Sequence, residues 1–240
     1  MTESRQDKVQ HYMARGLWAL VVDDIAALDP ADPVRVAAEA QLAEHDRHYG
    51  IPHTAYLKTA RNRGLSLVYY FKSHLHLLRG RAVAHVAPEP ELRAWLTDVV
   101  PKLGGTYMTM DAFAANVDWR EDLAALTLLD GCLDVVICHQ VLEHVPDDAR
   151  ALREIYRVLR PGGVVNLSVP EALYLERTVD WGAPDAQVYG HIRTYGRDVV
   201  AKLQAAGFAA GRIEWLLRRP AEELATAGAY PMLHYFAVKA

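Results

Sequence analysis

Cysteine is scarce in this chain of 240 residues, which holds only Cys132 and Cys138. The two stand six positions apart around a short apolar run, and no set of cysteines and histidines has the spacing of a zinc site. The histidines of His74-x-His76 point to different faces of a helix and have no acidic or cysteine neighbour in sequence. The sequence therefore predicts no disulfide framework and no metal site.

Long apolar runs and basic runs are also missing. No apolar run approaches the roughly 20 residues of a transmembrane helix, and the N-terminal MTESRQDKVQ lacks the apolar core of a signal peptide. The formal net charge is -4, which disfavours nucleic acid as a partner. We expect a cytoplasmic monomer or homodimer that acts on a small molecule, with no nucleic-acid or membrane partner.

What is present is enough apolar sequence, 51% of residues, to bury a sizeable core. Residues 1–80 read as helices, and residues 81–240 alternate short apolar runs with helical segments. The runs that we predict to be strands are 82–86, 106–110, 116–121, 134–138, 164–169, 212–217 and 233–238. The helices that we predict between them are 91–100, 147–159 and 199–206, the last ended by Gly207.

This alternation predicts an α/β fold, because short strands separated by helices of 10 to 15 residues form a parallel sheet covered on both faces. The nearly continuous apolar character of the strands agrees with burial on both sides. We therefore predict two regions: a helical N-terminal cap, residues 1–80, which would bind substrate, and a Rossmann-like domain, residues 81–240.

Ligands of such a sheet bind outside the carboxyl ends of its strands. Two acidic residues, Asp111 and Asp122, end successive predicted strands, where a carboxylate can accept the hydroxyls of a ribose. Either could instead cap a turn, since aspartate is common there. The other candidates for cofactor binding follow the first and fourth predicted strands: His85, Ala87, Pro88, Glu89, His139 and Gln140.

The segment after the first predicted strand lacks the G-x-G-x-x-G that brings backbone close to a pyrophosphate. It reads His85-Val86-Ala87-Pro88-Glu89-Pro90-Glu91. Two carboxylates at this place disfavour NAD or ATP and favour a cofactor that carries an ammonium group. Glu91 is better explained as a charge that suits a helix N-terminus, whereas Glu89 is our candidate partner of the ammonium.

A longer string then resembles a known family. It runs from Leu142-Glu143-His144-Val145-Pro146-Asp147-Asp148 to Arg157-Val158-Leu159-Arg160-Pro161-Gly162-Gly163. It resembles class I S-adenosylmethionine (SAM)-dependent methyltransferases of the methyltransferase 11 type. The run from His85 to Glu89 resembles a subgroup whose first motif is H-x-A-P-E in place of D-x-G-x-G.

The resemblance implies a seven-stranded sheet whose final strand runs antiparallel, with SAM as cofactor. It implies that Ala87 and Glu89 line the methionine moiety, and that Asp111 binds the ribose. It further implies that Asp122 and Leu123 contact the adenine, and that His139 lies near the methionine end.

Residues 171–196 are predicted to be a loop at the mouth of the site. His191 is a candidate general base, because the imidazole pKa lies near neutrality. Arg193 could bind a substrate carboxylate through its two-pronged guanidinium, and Tyr195 completes this candidate catalytic group. The alternative is that His-x-Arg-x-Tyr-Gly fastens the loop to the sheet.

We therefore predict methyl transfer from SAM to a small molecule, in which the protein mainly supplies proximity and orientation. Two alternatives stay open. The chain could use SAM for other chemistry, such as attack at a different sulfonium carbon or cyclisation of SAM with release of methylthioadenosine. It could also be a non-catalytic module that kept the fold.

Overall fold

The structure is a computed structural model that describes residues 3–54 and 62–240. Contacts divide the chain into two compact units. The helical unit comprises Met1–Thr59 and Pro170–Val199, and the sheet unit comprises Ala60–Val169 and Val200–Ala240. In the described ranges, no helix is long and apolar enough to cross a bilayer.

The helical unit contains the helices Arg5–Ala14, Val22–Ala26 and Pro33–Tyr49 and a hairpin of two strands, β6 (Val179–Asp185) and β7 (His191–Thr194). Asp32 caps the third helix by accepting a hydrogen bond from the Val34 amide at 2.8 Å, and Gly50 ends it with φ +81°. Ala172 and Tyr174 belong to the same buried apolar cluster as the helices. Residues 170–199 thus share the core of this unit.

The sheet unit is built on seven strands. They are β1 (Ala82–Val86), β2 (Thr106–Asp111), β3 (Trp119–Arg120), β4 (Leu133–His139), β5 (Leu159–Ser168), β8 (Phe208–Ile213) and β9 (His234–Lys239). Their spatial order is β3-β2-β1-β4-β5-β9-β8. The first five are parallel, and β9 runs antiparallel to β5 and β8. The predicted Rossmann-like α/β fold and its antiparallel final strand are confirmed.

Helices of the sheet unit connect and cover these strands. Their bounds are Arg63–Ser73, Pro90–Lys102, Asp148–Val158, Val199–Ala205 and Ala221–Thr226. Asn62 caps the first through Leu65, and Asp147 caps the third through Arg150. The strand order reverses between β1 and β4, so a ligand crevice is expected at their carboxyl ends.

Some local predictions are wrong. Residues 208–213, not 212–217, form β8, because the strand begins directly after Gly207, whose φ of +104° ends the preceding helix. Leu216 is buried in a turn, and a buried apolar run alone does not distinguish a turn from a strand.

The predicted loop 171–196 contains the hairpin β6–β7, whose turn passes through Tyr189 and Gly190 with positive φ.

The helical character predicted for residues 1–80 can be compared only in part, because residues 55–61, among them Tyr56, lie outside the described part of the chain. After this gap the chain forms the helix Arg63–Ser73, which is followed by a 3-10 turn at Leu75–Leu77.

Candidate functional site

A cavity of about 590 Å³ opens at the carboxyl ends of β1 and β2. Ala87, Pro88 and Asp111 line it on the strand side, and Arg93 and Thr97 line it from the helix Pro90–Lys102. Its volume lies within the range of small-molecule and cofactor sites. The structure thus brings together Ala87, Pro88 and Asp111, three cofactor-binding candidates that the sequence places at the ends of two separate strands.

Ala87 has a left-handed backbone, with φ +45°, and its amide donates to the Met110 carbonyl at 2.8 Å. This conformation is unfavourable for any residue with a Cβ and natural for glycine. The chain therefore keeps, with alanine, a backbone shape that a glycine would adopt at this position.

Asp111 is the last residue of β2, and one of its two carboxylate oxygens accepts backbone hydrogen bonds. Its Oδ1 accepts hydrogen bonds from the amides of Phe113 at 2.7 Å and Ala114 at 2.8 Å. The turn-capping role is therefore real, but it occupies Oδ1 alone. Oδ2 remains available to a ligand in the adjoining cavity.

Glu89 is buried within a chain of polar side chains. Its Oε2 accepts from His85 Nε2 at 2.8 Å, its Oε1 accepts from Arg63 Nε at 2.5 Å, and His85 Nδ1 lies 2.9 Å from the Tyr107 hydroxyl. Burial would raise the pKa of Glu89, yet the hydrogen bond from His85 and the nearby positive charges outweigh it and lower the pKa to about 2. Glu89 is ionised at neutral pH, and an ammonium group would have to share it with Arg63.

His139 is fully buried at the end of β4, and both its ring nitrogens have partners. Nδ1 lies 2.9 Å from Ser168 Oγ, and Nε2 lies 3.1 Å from Asn166 Oδ1. Asn166 Nδ2 donates to the Tyr235 carbonyl, so Oδ1 is the acceptor and His139 Nε2 carries the proton. Burial lowers the pKa of His139 to about 4, so the ring is neutral at neutral pH.

The remaining cofactor candidates lie outside the lining of the 590 Å³ cavity. Asp122 is exposed and caps a turn through the Ala124 amide at 2.9 Å, whereas Leu123 is buried. Gln140 has φ +54°, and its amide donates to the Ser168 carbonyl at 2.8 Å.

The candidate catalytic residues His191, Arg193 and Tyr195 belong to the helical unit. Arg193 is buried and donates to Asp180 Oδ2 from Nε at 2.8 Å and from a terminal guanidinium nitrogen at 2.7 Å. The two residues are paired across β6 and β7. The backbone of Tyr195 bonds to Pro170, and the His191 carbonyl accepts from Trp181. These bonds lie within the helical unit and hold the hairpin together. Catalysis by this group and its fastening to the sheet both stay predictions.

Sequence reasoning missed four residues of these networks: Arg63, Tyr107, Asn166 and Ser168. Arg63 stands 26 positions before its partner Glu89 and has no motif around it. Asn166 and Ser168 do carry a signal, because polar residues alternate there within an otherwise apolar strand and so share one face.

The family model described as a methyltransferase domain matches residues 75–167 of the chain. A Mycolicibacterium smegmatis protein with the name probable S-adenosylmethionine-dependent methyltransferase is 48% identical over 59 residues, which are 24% of this chain and 23% of that protein. An arsenite methyltransferase of Aquipseudomonas alcaligenes is 47% identical over 58 residues, 22% of this chain and 17% of that protein. The matched segments thus span less than a quarter of these relatives.

Among solved structures, a Burkholderia thailandensis 1,6-didemethyltoxoflavin-N1-methyltransferase with bound 1,6-didemethyltoxoflavin and S-adenosylhomocysteine is similar in fold. Its TM-score is 0.51 at 18% identity, covering 89% of this chain and 93% of that one. A Listeria monocytogenes protein whose structure bears the name putative S-adenosylmethionine dependent methyltransferase gives a TM-score of 0.50 at 13% identity, covering 74% of this chain and 98% of that one. Residues 75–167 therefore resemble a methyltransferase domain, and the chain shares its fold with a methyltransferase that binds S-adenosylhomocysteine. These similarities support S-adenosylmethionine as the cofactor.

Proposed function

We propose that this protein is a SAM-dependent methyltransferase that acts on a small-molecule acceptor. The observation that carries the proposal is the cavity at the carboxyl ends of β1 and β2, which joins the left-handed Ala87 to the ribose-binding candidate Asp111. The similarity to an arsenite methyltransferase and to the fold of a toxoflavin-pathway N-methyltransferase supports a small acceptor.

The residues present fit SAM on three counts. The backbone at Ala87 has the shape of the glycine turn, Asp111 offers Oδ2 to a ribose, and Glu89 is an ionised carboxylate near the predicted methionine end. Bound SAM supplies a methyl group that its positive sulfur already activates. The protein then needs to orient the acceptor and exclude water, and a base is required only where the acceptor atom carries a proton.

The roles of the other residues complete the proposal. The cofactor set is His85, Ala87, Pro88, Glu89, Asp111, Asp122, Leu123, His139 and Gln140. His191, Arg193 and Tyr195 form the proposed catalytic group, in which His191 takes a proton from the acceptor. Arg193 and Tyr195, through their bonds to Asp180 and Pro170, hold the strand that carries His191. Residues 1–80 form the cap that selects the acceptor.

We further propose that the enzyme is a cytoplasmic monomer or homodimer of the subgroup with the H-x-A-P-E first motif. The low cysteine content and the net charge of -4 support a reduced compartment and a substrate other than nucleic acid.

The test is product analysis by liquid chromatography and mass spectrometry. The purified protein is incubated with SAM labelled in its methyl group and a panel of hydroxylated aromatics, N-heterocycles and arsenite. Methyl transfer predicts S-adenosylhomocysteine and one labelled acceptor in equal amounts. Release of methylthioadenosine would overturn methyl transfer in favour of other SAM chemistry, and absence of any product together with absence of SAM binding would indicate a non-catalytic module.

A further inference from the structure

Five residues stand in one row across the carboxyl edge of the sheet. Val86 pairs with Met110 and with Cys138, so the next residues of β2, β1 and β4 are neighbours. His139 pairs with Ser168, and the antiparallel pairing of Leu167 with Tyr235 carries the row into β9. The row therefore reads Asp111, Ala87, His139, Ser168 and His234. Paired residues of a sheet share a face, so its members line one side of this edge.

His234 lies at the far end of the row from Asp111, and its imidazole is a buried polar group that no hydrogen bond within the described residues accounts for. It is fully buried, and neither ring nitrogen has a hydrogen-bond partner in the part of the chain that the structure describes. By contrast, the buried rings of His85 and His139 have partners at both nitrogens. A buried polar group without a partner destabilises the folded protein, so its presence calls for a ligand or another function.

Flat aromatic rings surround this imidazole. The Tyr70 ring packs edge-on against His234 with centroids 4.4 Å apart and stacks on His74 at 4.2 Å. The Trp215 ring lies 5.8 Å from Tyr70 and 5.1 Å from His74. Such walls suit a flat molecule better than an aliphatic or strongly charged one.

The spacing along the row is suitable for two ligands. Ala87, which directly follows β1, and His234 on β9 are separated by three strand spacings, about 14 Å in total. That length accommodates the sulfonium end of a cofactor held near Ala87 and one further ring system beside His234.

We propose that His234 binds the methyl acceptor, by a hydrogen bond between its imidazole and an O–H or N–H group of a flat aromatic molecule. The acceptor reaches the buried ring by displacing Tyr70, which covers it. Burial lowers the pKa of His234 well below its usual value, so the ring is neutral, with one nitrogen to accept and one to donate. This inference rests on the proposed methyltransferase function and names the substrate class of the same site.

The test uses the whole protein saturated with S-adenosylhomocysteine, and naphthol as the probe. Calorimetric titration should show that naphthol binds and that its methyl ether, which lacks the O–H, binds at least tenfold more weakly. His234→Phe keeps an aromatic ring but removes both nitrogens, and it should weaken naphthol at least tenfold while leaving the affinity for S-adenosylhomocysteine within twofold. His76→Phe, at an exposed position, is the matched control.

Two further measurements separate a binding role from a structural one. Nitrogen NMR of histidine-labelled protein should show the His234 ring signals shift when naphthol is added. His234→Phe should unfold at the same or a higher denaturant concentration, because the ring that it replaces has no polar partner to lose. Loss of stability in His234→Phe, equal binding of naphthol by variant and wild type, or no naphthol binding by wild type overturns the inference. Failure of wild type to bind S-adenosylhomocysteine would instead overturn the proposed function.

Discussion

The neutral, buried His139 gives a quantitative prediction of how stability depends on pH. Its pKa is about 4 in the folded protein, against 6.5 for an ordinary histidine. Between these values the unfolded chain binds a proton that the folded chain does not, so the free energy of unfolding falls as the pH falls. One full proton corresponds to about 1.4 kcal/mol per pH unit. Because the unfolded histidine is only half protonated at pH 6.5 and the folded one begins to protonate near pH 4.5, the loss between these two values is roughly 2 kcal/mol.

The pKa values of two other buried groups, His234 and Glu89, determine the pH range over which the measurement should be made. The pKa of His234 is also lowered by burial, so it adds a loss of the same sign. Glu89 has a pKa lowered to about 2 from 4.5, and its contribution is fully present above pH 4.5 and is lost only as the pH falls below that value. Measurements from pH 7.5 to 4.5 therefore report the histidines.

The variant is His139→Gln, which keeps hydrogen-bonding groups for Ser168 and Asn166 but does not titrate. Urea unfolding followed by tryptophan fluorescence gives the free energy at each pH. Between pH 6.5 and 4.5, the free energy of unfolding should depend more steeply on pH in wild type than in His139→Gln, by the uptake of about one proton. This difference in slope does not depend on the absolute stability of the variant. His76→Gln, which removes an exposed imidazole, is the control. Equal slopes for wild type and His139→Gln would refute the reasoning.

Two substitutions test the geometry around the cofactor site, and a third tests the packing at the amino end of β2. Ala87→Gly relieves a left-handed alanine and should change the free energy of unfolding by 0 to about +1 kcal/mol, measured in urea, because the strain of about 1–2 kcal/mol exceeds the entropic cost of glycine. Arg63→Ala removes the protein cation from Glu89 and should tighten SAM, which carries an ammonium group, without tightening adenosine in calorimetric titration. Gly105→Ala would place a Cβ 2.5 Å from the Arg81 carbonyl oxygen and should destabilise by about 2 kcal/mol or more.

Each of these three substitutions has a control variant or an outcome that would contradict its prediction. Ala84→Gly, in the middle of β1, should destabilise, and a loss of similar size for Ala87→Gly would contradict the strain argument. Unchanged SAM affinity in Arg63→Ala would mean that Glu89 serves structure rather than the ammonium. Gly211→Ala meets no atom within 4 Å and should be close to neutral; a comparable loss at Gly105 and Gly211 would show that steric contact is not the cause.

Strands β1 and β2 could be predicted because their sequences are short runs of mostly apolar and β-branched residues. Residues 82–86 were predicted as a strand and form β1, and residues 106–110 lie within β2. The position of β8 could not be read in the same way, since the small residues Ala209, Ala210 and Gly211 carry little strand signal while Trp215 and Leu216 suggest one.

The candidate site was predictable only where it depends on the ends of strands. Strand ends place Asp111 and Ala87 together because the topology brings the carboxyl ends of the parallel strands to one edge. Arg63 and His234 reach the same edge from distant parts of the chain, through a helix before β1 and through the antiparallel β9. No local pattern marks such residues, since their environment is created by tertiary packing.

The central claim, that the carboxyl edge binds SAM through Asp111, is tested most directly by calorimetric titration with S-adenosylhomocysteine. Asp111→Ala should weaken binding at least tenfold, about 1.4 kcal/mol. Asp111→Asn, whose oxygen can still cap the turn at Phe113 and Ala114, should weaken binding while retaining the wild-type unfolding midpoint. Asp98→Ala, on an exposed helix surface, should bind as wild type. Wild-type affinity in both Asp111 variants, or no binding by wild type at millimolar ligand, would contradict the claim.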